Sequence, residues 1–150
     1  MSLDTLIEEK NVNIISLSLE LEKATIAYEM TDEKTIYVRE IGMFPFWIYL
    51  RENTRFITLS TYLEWAPDVP EMERLAFCNR VNEQLILPSV YMRTVDDEGV
   101  TVTRFTAAYP IYYRDGLLVS QFIRLCRRFA DAIREIQAEF DPAHEVLQAL

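Results

Sequence analysis

A single histidine, His144, stands near the end of a chain of 150 residues. Imidazole catalysis and histidine metal sites need partners held on a rigid scaffold, and this residue falls in a tail beyond the last patterned helix. Cys78 and Cys126 lie inside separate predicted helices, where a free cysteine behaves as a small hydrophobe, so buried thiols are expected. With no second histidine, a structural zinc site would lack its ligand set. Asp96, Asp97 and Glu98 invite comparison with an acid pair or calcium ligands, yet they lack the ligand spacing of a calcium loop and read as a hairpin tip. Gly42, Gly99 and Gly116 are isolated, so nothing forms a glycine-rich phosphate cradle. These residues give no catalytic, cofactor-binding or metal site; no cofactor is expected, and the chain does not read as an enzyme.

Three further groups could bind rather than react. Asn79 and Asn82 stand one turn apart beside apolar residues, and half-buried amides there need partners; neighbouring backbone is the structural reading, ligand contact the functional one. Arg124, Arg127 and Arg128, with Arg134 and Arg114 nearby, form a basic patch in an otherwise acidic chain. It reads as internal ion pairs with Asp131, Glu135 and the acidic first third, or as an anion or partner contact. Trp47, Tyr49, Tyr62 and Trp65 either build the core or line a peptide surface or a small-molecule pocket near Trp47 and Trp65.

The elements that must position these residues follow from hydrophobic spacing. Ser2 or Asp4 could cap a short helix through Lys10. Residues 12–23 fit a strand by Ile15, Leu17, Leu19 and Leu21, and a helix by Ile14, Leu17, Leu21 and Ala24. Alternation at Ile26, Tyr28 and Met30, a turn at 31–34 and the β-branched run Thr35-Ile36-Tyr37-Val38 predict a hairpin. Phe44 to Leu50 is apolar on both faces, as in a central strand covered on both sides, with a helix or second subunit supplying one cover. Ile57, Leu59 and Leu63 alternate with wetter residues in the next strand.

Pro70 opens a helix over about 71–85, whose Met72, Leu75, Ala76, Asn79 and Asn82 share one side. A hairpin follows around Asp96 to Gly99, and the switch of apolar face along 100–109 predicts a bulge or twist near Arg104. The last helix carries Leu118, Phe122, Leu125, Cys126, Phe129, Ile133, Ile136 and Phe140 at spacings of threes and fours. Asp141-Pro142 ends it, and 143–150 is expected as a short helix or a frayed tail.

Half the residues are hydrophobic, with only three glycines, which fits one packed domain over 1–150. A formal charge of -9 repels polyanions, so nucleic acid is a poor partner. No apolar run reaches membrane-span length and residues 1–4 do not resemble a secretory signal, which predicts a cytoplasmic protein without membrane contact.

From about Phe44 to Phe140 the chain resembles the YbjN family, bacterial proteins labelled as sensory transduction regulators with a fold like that of type III secretion chaperones. The resemblance rests on Phe44-Pro45-Phe46-Trp47-Ile48, on Thr61-Tyr62-Leu63, on Asn79-Arg80-Val81-Asn82 ahead of Leu87-Pro88, and on Gly116-Leu117-Leu118 followed by Phe122. It implies an α+β sandwich, helices over an antiparallel sheet in the approximate order α-β-β-β-α-β-β-α. It also implies a homodimer, and no catalytic residues. The function expected is a regulatory or chaperone-like protein-binding module; the alternative is a small-molecule sensor with the aromatic pocket named above.

Overall fold

The computed structural model describes residues 5–150. Its elements are β1 (Leu6–Ile7), α1 (Ile14–Lys23), β2 (Tyr28–Asp32), β3 (Thr35–Val38), β4 (Phe46–Arg51), β5 (Phe56–Leu63), α2 (Glu71–Gln84), β6 (Ser89–Asp97), β7 (Val100–Tyr112), β8 (Leu117–Leu118) and α3 (Val119–Phe140). The fold is α+β, with a six-stranded sheet in the order β2-β3-β4-β5-β7-β6 and a separate β1-β8 ladder. The residues group into two compact units, one reaching Ser60 and including Pro110–Asp131, the other comprising Thr61–Tyr109 and Ala132–Leu150. Strands β5 and β7 and helix α3 contribute to both.

In the first unit the ambiguous stretch 12–23 is a helix because its start is well capped. The Asn13 side chain accepts from the Ser16 amide at 2.9 Å, and the Ser16 hydroxyl accepts from the Asn13 amide at 3.0 Å, a reciprocal box that satisfies donors no helix can satisfy internally. Ile14, Leu17, Ser18 and Leu21 are buried, whereas Ile15 and Leu19, which a strand would need, are exposed.

The helix expected through Lys10 is corrected. Leu6 and Ile7 pair with Leu118 and Leu117, and Glu9–Asn11 form a 3-10 turn; Ser2 and Asp4 lie outside the described residues. Gly116 permits this ladder, since at φ 122° a Cβ there would sit 2.8 Å from Leu6 Cδ1.

Rungs Ile36↔Ile48↔Leu59 and Tyr37↔Trp47↔Ser60 cross β3, β4 and β5. Residues directly opposite share a face, so the first rung and Phe46 lie in the core while the second lies on the other side. Phe46 meets Phe129 of α3 edge-on, with centroids 5.4 Å apart. Phe122, Cys126 and Phe129 continue the buried stripe, but Leu118 belongs to β8 and is exposed. Within the chain β4 is packed on one face: Phe46, Ile48 and Leu50 are buried, while Trp47 and Tyr49 on the other face are half-buried.

In the second unit α2 buries Phe77, Cys78 and Val81. Met72, Leu75, Ala76, Asn79 and Asn82 do share one side, as expected, but it is the exposed side, because Trp65 and Phe105 draw Phe77 inward. Those three rings form a cluster with centroids 5.5 to 6.3 Å apart. The hairpin of β6 and β7 turns through Glu98 and Gly99, at φ 50° and 83°, the left-handed pair that a tight two-residue turn requires. Against β6 the register of β7 runs without a shift, so of the bulge or twist expected near Arg104 the bulge is absent from that ladder. On the opposite face from Phe105 and Ala107, Val100 is exposed and Val102 half-buried at the hairpin end.

The tail is neither helical nor frayed. Leu147 bridges Trp65, Ala66 donates to the Val146 carbonyl at 2.8 Å, and Gln148 donates to the Glu64 carbonyl at 2.9 Å. The buried Asp141 carboxylate accepts from the amides of Glu145, Val146 and Leu147, the last at 2.7 Å. Buried Gln137 closes the arrangement by donating to the Gln148 carbonyl at 2.7 Å.

Candidate protein-interaction surface

The half-exposed face of the first unit carries an unusual share of aromatic residues. Tyr37 and Trp47 are cross-strand partners whose centroids lie 4.9 Å apart at a tilt of 36°. Tyr49 stands across from Thr35 and Thr58 on the same face. Phe56 extends it and packs on Tyr112 at 5.0 Å, with Tyr112 itself exposed. These rings pack on one another and remain partly exposed, where aromatic side chains offer large contact area at low entropic cost. Sequence reasoning found Trp47 and Tyr49; it missed Tyr37, Phe56 and Tyr112 because only the strand register shows that they share a face.

The other expected residues are placed differently. Trp65 is only 5% exposed and is taken up by the core cluster of the second unit, so it lends no open ring to a pocket. Tyr62 lies under the Arg104 guanidinium at 4.2 Å. Asn82 satisfies the backbone reading: its Nδ2 donates to the Val90 carbonyl at 2.8 Å and its Oδ1 accepts from the Val90 amide at 2.9 Å. Asn79 is exposed on the outer side of α2. Of the basic patch, Arg127 donates to the Ala24 carbonyl at 3.2 Å, meeting the end of α1, where a cation suits the helix dipole. Arg128 and Arg134 are engaged with neighbours, and Arg124 is exposed.

The groups with displaced pKa values brace the fold. Glu9 accepts from the Asp115 amide at 2.9 Å and from Arg55 Nε at 2.8 Å. The Asp115 hydrogen bond, then that of Arg55, hold its carboxyl below the usual range, and the same pairing raises Arg55. Arg55 also donates to the Glu52 carbonyl. Burial pushes up the Tyr113 hydroxyl and the thiols of Cys78, to about 11, and Cys126. The Glu9 carboxylate is thus tied to two donors of the fold, and the two thiols are buried and held in the protonated form.

A concavity of about 510 Å³ is lined by Glu22, Thr25, Ile26, Arg39 and Glu40 among others, and one of about 360 Å³ by Arg134, Gln137, Pro142 and His144 with Ala138. Both are open hollows. Among the described residues no group of histidine, cysteine and acidic side chains could hold a metal ion, and no helix is long and apolar enough to cross a membrane.

Two solved structures resemble this fold. One is the crystal structure of YbjN, "a putative transcription regulator from E. coli", with a TM-score of 0.75 and 16% identity over 97% of this chain and 100% of that one. The other is an uncharacterised protein from Methanothermobacter thermautotrophicus, with a TM-score of 0.60 and 15% identity over 87% and 97% of the two chains. At such identity they speak for the fold alone. Among curated protein sequences nothing matches. The family model described as "Putative bacterial sensory transduction regulator" matches residues 16–142, and the chain therefore belongs to the YbjN family.

Proposed function

We propose that this protein is a non-enzymatic regulatory or chaperone-like module of the cytoplasm. It acts as a homodimer and binds other proteins through the aromatic face of its first unit. The observation that carries this reading is the set Tyr37, Trp47 and Tyr49, half-exposed on a sheet whose opposite face is packed into the core. A rigid strand surface with rings at its centre gives the anchors on which protein interfaces concentrate their binding energy. The formal charge of -9 favours a basic partner segment and disfavours nucleic acid. The burial of Trp65 takes away the second wall of the sensor pocket, so protein binding is the better supported function.

The test replaces Trp47 and Tyr49 with serine, since both project from a half-exposed face and need not unfold the chain. Wild-type protein used as bait in native cytoplasm should recover a partner at stoichiometric level, and the double variant should lose it while keeping its circular dichroism spectrum.

A further inference from the structure

β6 forms one edge of the six-stranded sheet, and its ladder with β7 is regular from Asp97↔Val100 to Ser89↔Ala108. In an antiparallel ladder alternate residues turn their N–H and C=O toward the neighbour or away from it. Val90 shows which set turns away, because both its backbone groups are taken by Asn82. Met92, Thr94 and Asp96 share its parity, so their backbone groups line the outer edge. This stretch carries no proline and no bulge, two of the usual guards of an exposed strand.

The side chains add a charge pattern. Arg93, Val95 and Asp97 project from one face, and Arg93 lies directly across from Arg104, a like-charge arrangement that weakens a ladder. Arg104 holds the two nearby carboxylates, with Glu64 at 3.4 Å and Asp97 at 3.2 Å. Arg93 has no ion pair among the described residues. An unmatched cation thus stands on an open edge of an acidic protein.

We propose that this edge joins two copies of the chain, with their β6 strands antiparallel about a twofold axis at Val95. The inference rests on the homodimer reading above and names its surface. In this register Thr94 of each copy pairs with Asp96 of the other, and each pair exchanges both backbone hydrogen bonds. Val95 meets its own counterpart, flanked on either side by Arg93 facing Asp97 of the second copy. Registers shifted toward Val90 would press Asp96 or Glu98 of the second copy onto an edge that Asn82 already occupies. A shift the other way leaves one hydrogen-bonded pair. The register that remains is the one in which opposite charges face each other, which favours a second copy over a foreign strand.

Sedimentation equilibrium on the full chain tests this. Wild type should show a monomer–dimer equilibrium, and Thr94→Pro, which removes an outward N–H at an edge that tolerates proline, should be monomeric with an unchanged circular dichroism spectrum. Arg93→Asp and Asp97→Arg should each weaken association by about tenfold or more. An equimolar mixture of the two should regain dimers, because opposite charges then face each other in the mixed pair, an effect no internal destabilisation produces. A dimer that persists unchanged in all three variants, or a mixture that stays monomeric, overturns the β6 contact but leaves the homodimer reading standing. A wild type that stays monomeric at every accessible concentration overturns both.

Discussion

At the level of single residues, the two asparagines separate structure from surface. Asn82 binds both backbone groups of Val90, and Asn82→Ala should cost about 1–3 kcal/mol in urea unfolding, since it strips partners from a part-buried strand end. Asn79→Ala, on the exposed side of α2, should change stability by less than about 0.5 kcal/mol. The sequence pattern placed both amides on one helix side but could not show which met backbone, because that depends on where β6 begins. The thiols were legible as buried, and the fold adds that burial pushes the Cys78 thiol up to about 11; neither thiol should react with a thiol reagent at pH 8 until the protein is unfolded. Glu9 supplies a pH dependence. Its folded pKa lies below the ordinary 4.5, so its contribution is complete above that value and is lost as pH falls through the folded pKa. Melting temperature should drop on acidification below about pH 4.5, and Glu9→Gln should flatten that part of the profile.

Among the elements, those with long, regular spacing were the most legible. The stripe of α3 and the hairpin at Asp96 to Gly99 follow from local periodicity and turn chemistry, which act over neighbouring residues. The stretch 12–23 needed the Asn13 and Ser16 box to decide it. The segment before it became a strand only because Leu117 and Leu118 arrive from the other end of the chain. The tail was hidden for the same reason, as its partners are Glu64, Trp65 and Ala66. Asp141 looked like a helix terminator and is in fact the anchor of that tail. Asp141→Ala should therefore cost about 2–3 kcal/mol by leaving the buried Leu147 amide and the part-buried amides of Glu145 and Val146 without their partner, and hydrogen exchange should speed up at Glu145, Val146 and Leu147 while α1 stays protected.

For the molecule as a whole, the family and the α+β class were visible in the order of short motifs, whereas the aromatic face proposed for binding was only half visible. Trp47 and Tyr49 stood out as aromatic, but a central strand covered on both sides and one with a shielded, half-open face look alike until the rungs to Tyr37 and Ser60 are known. Binding through that face makes a demand distinct from stability, since removing rings there should affect partners far more than folding. The most direct measurement is quantitative capture from native cytoplasm with wild type and the Trp47→Ser, Tyr49→Ser double variant side by side. A stoichiometric partner recovered by wild type and reduced at least about tenfold in the folded variant is the predicted result. Recovery of no stoichiometric partner by wild type, or of the same partner at equal level by both, would contradict it.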